Sequence, residues 1–156
     1  MTVHLATLAD VTALRNLASS VRSDLDADWP GEDNAYPLQR LRDYVSSGRA
    51  IVLVDIVGGG LAGASIWIRR SGAWWMRLFI TDPAISALQR GRSMQRMFRF
   101  AAEHVPPDTK LCGIGRAGSG AEAYLAARLP SGDNRQVRDG YVLYSGTAAD
   151  LLAAVT

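Results

Sequence analysis

Three β-type segments joined by short turns occupy the centre of the sequence, and they limit what this chain can fold into. Ala50–Val57 is a run rich in Val and Ile, which is typical of a buried strand. Three consecutive glycines form a turn, and Leu61–Arg69 alternates between apolar and polar residues as a return strand. Ser71 and Gly72 turn the chain again into Ala73–Ile80. The pattern therefore predicts a three-stranded antiparallel meander.

Amphipathic helices are predicted on both sides of this meander. Thr7 and Asp10 have the form of a capping box, and the apolar residues after it share one helical face: Val11, Leu14, Leu17, Ala18 and Val21. A second helix starts near Pro37 and stops at Gly48. The clearest helix follows Asp82-Pro83 and ends at Pro106, and its apolar positions recur at helical spacing: Met94, Met97, Phe98, Ala101, Ala102 and Val105.

The remaining elements are shorter. Strands are predicted over residues 2–6 and 110–115, a helix over about 121–129, and a last hairpin over 134–138 and 140–145. Thr147 is predicted to cap a short terminal helix. With no internal repeat or linker, the order indicates one mixed α/β domain over residues 1–156.

Composition excludes several classes of protein. No apolar run approaches the 20 or so residues of a membrane span, and no secretory signal opens the chain, so a cytoplasmic location is expected. The single Cys112 excludes an internal disulfide and a zinc site built on paired cysteines, and no metal site is expected. The net charge is +2, which is too small to indicate a nucleic-acid partner.

The order of elements up to about residue 145 resembles that of the GNAT acyltransferase superfamily. Proteins of this kind carry Arg/Gln-x-x-Gly-x-Gly/Ala at the start of the third helix, after a strand and a turn. Arg90-Gly91-Arg92 resembles the first part of that motif, and Ser93 and Gln95 stand where its small residues are expected. The resemblance implies an α/β fold with a mixed, largely antiparallel sheet of six to seven strands flanked by helices.

Two alignments of this motif are open. An ungapped one places Ser86, Gln89 and Gly91 on the motif. The gapped one is preferred, because it puts Met94 and Phe98 on the buried face of the helix.

The resemblance implies acetyl-CoA, or another acyl-CoA, as co-substrate. Its pyrophosphate would lie on the loop and helix start formed by the motif: Arg90, Gly91, Arg92, Ser93, Met94 and Gln95. Helix N-termini favour anions, Arg90 and Arg92 would add cations, and the Ser93 hydroxyl would add a donor. The pantetheine arm would pair with the backbone of the preceding strand: Phe79, Ile80 and Thr81.

The same resemblance implies acyl transfer to a small-molecule or protein amine, by direct attack in a ternary complex. Tyr124 stands where a tyrosine protonates the departing thiolate. The strand Ala73–Ile80 carries no carboxylate to act as general base. The alternative is a catalytically inactive GNAT-like binding or assembly protein, for example a component of a phage particle.

Other conspicuous residues have a structural and a functional interpretation. The acidic residues near Trp29 form either a solvated loop or the border of a pocket for a cationic amine: Asp24, Asp26, Asp28, Glu32 and Asp33. Trp74 and Trp75 are expected on opposite faces of the sheet, one in the core and the other at a pocket or homodimer contact. Arg96 and Arg99 are assigned to a solvated helix face.

Overall fold

The computed structural model describes residues 2–21, 35–118, 123, 126–127, 135–138 and 140–155. A 3-10 turn at Leu8–Asp10 precedes the first helix. The helices are α1 Val11–Ser20, α2 Leu38–Ser46, α3 Ala87–His104 and α4 Ala148–Val155. The strands are β1 Thr2–Leu5, β2 Ala50–Val57, β3 Gly60–Arg70, β4 Ala73–Thr81, β5 Lys110–Arg116, β6 Arg135–Arg138 and β7 Tyr141–Thr147.

The described strands form one seven-stranded sheet in the order β1-β2-β3-β4-β5-β7-β6. The meander is confirmed, because β2 pairs antiparallel with β3, and β3 with β4. Within this sheet β4 and β5 run parallel, and each other neighbouring pair is antiparallel. The expected mixed and largely antiparallel architecture is therefore the observed one.

Alternation along the strands places an apolar layer on each face of the sheet. Ile51 and Leu53 of β2 pack with Phe98 of α3 and Leu151 of α4. On the opposite face Val52 and Val54 pack against α1 and α2, whose buried residues include Leu14 and Leu41. Of the helices that the structure describes, α1 and α2 thus cover one side of the sheet, and α3 and α4 cover the other.

Caps fix two of the element boundaries that the sequence predicts. The Thr7 backbone N–H donates to Asp10 Oδ2 at 2.8 Å and opens the 3-10 turn before α1. At the other end of the chain the Asp150 N–H donates to Thr147 Oγ1 at 3.1 Å, which starts α4. The helix predicted over 121–129 lies almost entirely outside the described residues.

The third helix approaches the sheet closely at Gly63. A Cβ at this position would stand 2.7 Å from both Met97 Cε and Ser93 Oγ, and 3.1 Å from the Ile80 carbonyl oxygen. Only glycine allows α3 to lie this near to β3. Among the helices that the structure describes, none is long and apolar enough to cross a membrane.

Candidate functional site

The sheet opens between its two parallel strands. β4 and β5 pair over four registers, from Ala73 opposite Lys110 to Met76 opposite Gly113. Beyond that point β5 continues alongside β7 as far as Arg116, and β4 continues alongside β3 as far as Thr81. The two strands therefore part above the Met76–Gly113 pair and leave a split, which we call the β4–β5 split.

A bulge in β4 marks the apex of this split. Ile66 pairs with Leu78 and Trp67 with Met76, so Arg77 is the extra residue on β4. A bulge bends its strand and increases its twist, and this one follows directly after the last pair of β4 with β5. Arg77 is buried, with its guanidinium carbon 5.6 Å from the centre of the Tyr36 ring. The Tyr36 hydroxyl donates to the Arg77 carbonyl at 3.3 Å, so the displaced carbonyl keeps a hydrogen bond.

Backbone groups on the outer part of β4 face the split. The Asp82 N–H donates to the Ala62 carbonyl of β3 at 2.8 Å. Because successive residues direct their backbone groups to alternate edges, those of Ile80 face β3 as well, and those of Phe79 and Thr81 face the split. Of the three residues expected to pair with a pantetheine arm, two therefore present their N–H and C=O groups at the open edge.

The N-terminus of α3 follows directly after the open end of β4. Ser86 caps the helix: its Oγ accepts from the Gln89 N–H at 3.2 Å, and Gln89 Oε1 accepts from the Ser86 N–H at 3.0 Å. The N–H groups of the first helical residues, Ala87 and Leu88, have no carbonyl partner within the helix. Leu88 is 64% exposed there. Free donors at the positive end of the helix dipole make this turn suited to an anion.

The expectation that α3 begins at the Arg90-Gly91 motif is wrong, because the Ser86 cap starts the helix earlier. Ser93 and Gln95 consequently lie about two turns inside α3, where backbone N–H groups bond to carbonyls four residues back. The ungapped alignment, with Ser86 at the first motif position, agrees with the observed start of the helix. A sequence signal for it exists, since Ser86-x-x-Gln89 is a capping box.

The side chains of the expected phosphate site also diverge from one another. Arg90 Nη1 donates to the Ile85 carbonyl at 2.8 Å and to the Pro83 carbonyl at 3.4 Å, so this residue fastens the loop before α3. Arg92 lines a cleft of about 370 Å³ together with Val57 and Leu61 of the β2–β3 hairpin. That cleft lies between α3 and the β2–β3 hairpin, and it extends to Asp82 and Ile85 in the loop before α3.

The next three residues of the motif have packing roles. Ser93 is fully buried, and its Oγ is without a hydrogen-bond partner in the part of the chain that the structure describes. Met94 packs against the core between α3 and the sheet. Gln95 Nε2 donates to the Val155 carbonyl at 2.8 Å and so ties α3 to the end of α4. Ser93 therefore lies between α3 and the sheet and not at the start of the helix.

One ion pair was not expected from the sequence. Arg96 donates to the fully buried carboxylate of Asp55 in β2, with 2.7 Å between Nη2 and Oδ2. The assignment of Arg96 to a solvated helix face is therefore wrong, because Arg96 lies on the side of α3 that faces the sheet. Arg99 does lie on the solvated face, where it pairs with Glu103 at 3.0 Å.

Several other predicted residues lie outside the described part of the chain, namely Tyr124, Trp29, Asp24, Asp26, Asp28, Glu32 and Asp33. Trp74 and Trp75 pack on opposite faces, against the α3–α4 side and against Cys112 and Leu143 respectively. Among the described residues no group of three or more His, Cys, Asp or Glu side chains could hold a metal ion.

Comparison with known proteins places this geometry among solved structures. No protein-family model matches the sequence, and no curated protein matches it. A ribosomal L7/L12 alpha-N-protein acetyltransferase in complex with coenzyme A is 15% identical, with a TM-score of 0.67 over 95% of this chain and 94% of that one. A ribosomal-protein-alanine N-acetyltransferase from Brucella melitensis is 18% identical, with a TM-score of 0.64 over 94% and 99%.

A third similar structure is a GNAT-like decarboxylase in complex with isobutyryl-CoA, 17% identical, with a TM-score of 0.61 over 95% of this chain and 100% of that one. The chain therefore has the fold of the GNAT N-acetyltransferases, as its sequence resemblance implies.

Proposed function

We propose that this chain binds an acyl-coenzyme A in the β4–β5 split and transfers the acyl group to an amine. The observation that carries the proposal is the split itself, with the α3 N-terminus at its open end. An open strand edge offers hydrogen bonds to an amide-containing arm, and a helix N-terminus offers them to a phosphate.

The dimensions of the split suit the ligand. Five residue steps separate Met76 at the apex from Thr81 at the open end, which is about 17 Å of strand. An extended pantetheine arm has a similar length. With its pyrophosphate on the N–H groups of Ala87 and Leu88, the arm would pair with Phe79 and Thr81 and carry its thioester to the apex.

Similar structures support the same class of ligand. One was solved with coenzyme A and another with isobutyryl-CoA, and two are named as acetyltransferases of ribosomal proteins. An amine on a protein or on a small molecule is the acceptor that we propose for this chain.

The proposed reaction is a direct transfer at the apex. The amine nitrogen attacks the thioester carbonyl carbon, backbone N–H groups of β4 stabilise the developing oxyanion, and the C–S bond breaks. Tyr124 is the proposed donor of a proton to the departing thiolate. β4 holds Arg77 at its bulge and no carboxylate, so the amine proton leaves through water or the acceptor enters uncharged.

Arg77 also favours a second candidate, a GNAT-shaped binding protein without catalysis. A buried guanidinium at the apex disfavours a cationic amine, because like charges repel strongly where water is excluded. Such a protein would bind its ligand or partner and release no free thiol.

Calorimetric titration of the full chain with coenzyme A and with acetyl-CoA tests the proposal. Ala87→Pro removes one N–H donor at the first helical position, where proline is well tolerated. Ser86 already has φ −65° and ψ 158°, which suits a residue before proline. Hydrogen bonds to charged groups contribute about 1.5–3 kcal/mol, so affinity should fall at least about tenfold.

Ala87→Gly keeps the N–H and is the matched control, with less than a threefold change expected. Absence of binding of both ligands to the wild-type chain at millimolar concentration would overturn the proposal. When binding is found, release of free thiol in a screen of amine acceptors separates the transferase from the non-catalytic candidate.

A further inference from the structure

A small cavity lies beneath the apex of the β4–β5 split, on the side of the sheet covered by α3 and α4. Its walls are almost entirely apolar and include Trp67, Met76, Phe98, Tyr144 and Leu151. Its volume is about 20 Å³. A water molecule needs roughly 10–15 Å³ by the same measure, so the cavity has room for about one or two carbon atoms.

The cavity adjoins the end of the split. Met76 and Gly113 form the last parallel pair before the strands part, and both line the cavity. A thioester carried to the apex would therefore point its acyl carbon chain at this space. Leu151 of α4 and Phe98 of α3 belong to the same lining, so it is the packing of these two helices that limits the depth of the space.

From this placement we infer that the acyl group is a short apolar chain one or two carbons longer than acetyl, such as propionyl or isobutyryl. The inference rests on the proposed function. An apolar cavity stabilises a methyl group that leaves water, and each buried CH₂ is worth about a fourfold gain in affinity. Acetyl-CoA, whose methyl group would end at the apex, would leave the cavity empty, and a chain much longer than the cavity would collide with α4.

The test compares equilibrium affinities of the full chain for coenzyme A, acetyl-CoA, propionyl-CoA, isobutyryl-CoA and octanoyl-CoA by calorimetry. Propionyl-CoA should bind about fourfold more tightly than acetyl-CoA, since one more carbon is buried. Isobutyryl-CoA should bind at least as tightly as propionyl-CoA, and octanoyl-CoA more weakly than acetyl-CoA.

Gly146→Ala narrows the cavity from the β7 side. The added Cβ would meet only Asp150, at 3.6 and 3.7 Å, so the substitution is sterically allowed. This variant should bring the affinities for propionyl-CoA and isobutyryl-CoA to within twofold of that for acetyl-CoA. The affinity for free coenzyme A should stay unchanged. Gly60→Ala adds the same methyl far from the cavity, 3.8 Å from the Val57 carbonyl oxygen, and should preserve the preference.

Leu151→Val widens the same space and provides a second variant, which should increase the preference for isobutyryl-CoA over propionyl-CoA. If coenzyme A and acetyl-CoA bind while the longer thioesters bind no better, the inference is overturned and the proposed function stands. Tightest binding of octanoyl-CoA would also overturn it. If none of the five ligands binds, the proposed function itself fails.

Discussion

Arg96 in α3 donates two hydrogen bonds to the buried carboxylate of Asp55 in β2, with Nε 3.2 Å from Oδ1 and Nη2 2.7 Å from Oδ2. Asp55 faces α3 because it follows Ile51 and Leu53 on the same side of β2. The pair joins helix to sheet on the flank of α3 opposite the β4–β5 split. It therefore helps to hold the α3 N-terminus at the open end of that split.

Arg96→Ala should destabilise the protein by about 3 kcal/mol, because it leaves the Asp55 carboxylate buried without its cation. Urea unfolding followed by circular dichroism measures this. Arg99→Ala removes an arginine one turn away whose partner is exposed, and should change stability by only about 0.5 kcal/mol. Equal losses of stability in the two variants would contradict the inference that the buried Asp55 carboxylate needs its cation.

The meander was predictable because period-2 patterning and turn residues are local signals. Ala50–Val57 is observed with the predicted bounds, and the turns at Gly58–Gly59 and Ser71–Gly72 stand where expected. The bulge at Arg77 was not predictable, since a shift of register depends on the partner strand. The position of the apex of the β4–β5 split could therefore not be predicted from the sequence.

The start of α3 was misplaced for a different reason. The sequence contains both a partial motif over residues 90–95 and a capping box at Ser86 and Gln89, and the gapped alignment follows the motif. Ser86 and Gln89 satisfy each other's backbone N–H groups, and that local chemistry decided the boundary. The Arg96–Asp55 pair joins residues 41 apart. Its one sequence signal was a carboxylate inside a buried strand, which requires a partner.

Ser93→Ala should stabilise the protein, by about 1 kcal/mol, since it removes a buried hydroxyl that lacks a hydrogen-bond partner among the described residues. Thermal or urea unfolding measures the change. The same variant should bind coenzyme A with unchanged affinity, because Ser93 lies under α3 and away from its N-terminus. A loss of affinity without a loss of stability would return Ser93 to the phosphate site.

Gly63→Ala should destabilise the protein by about 1–3 kcal/mol through overpacking, because the new Cβ would stand 2.7 Å from Ser93 Oγ and Met97 Cε. The Ile80 carbonyl at 3.1 Å limits any relief from the strand side. The Gly63→Ala/Ser93→Ala double variant removes one of the two closest contacts and should recover part of the loss. If the changes in unfolding free energy of the two single variants simply add up in the double variant, this account of the contact is contradicted.

Arg90 and Arg92 are neighbours in the motif, yet the structure gives them different expected effects on ligand binding. Arg90 fastens the loop before α3 through the Ile85 carbonyl, so Arg90→Ala should loosen the Ser86–Ala87 turn. Coenzyme A affinity should then fall by about three- to tenfold through lost preorganisation. Arg92 lies more than one turn inside α3 and faces the β2–β3 hairpin, so Arg92→Ala should change affinity less than twofold.

Calorimetry with coenzyme A distinguishes these outcomes, and Arg90→Lys serves as a further comparison. A lysine amine can still donate to the Ile85 carbonyl, so this variant should recover part of the affinity that Arg90→Ala loses. Lysine keeps the positive charge at position 90, so a purely electrostatic role for Arg90 predicts full recovery of affinity with Arg90→Lys. A larger loss with Arg92→Ala than with Arg90→Ala would contradict the structure and favour the gapped alignment, in which both guanidinium groups contact the pyrophosphate.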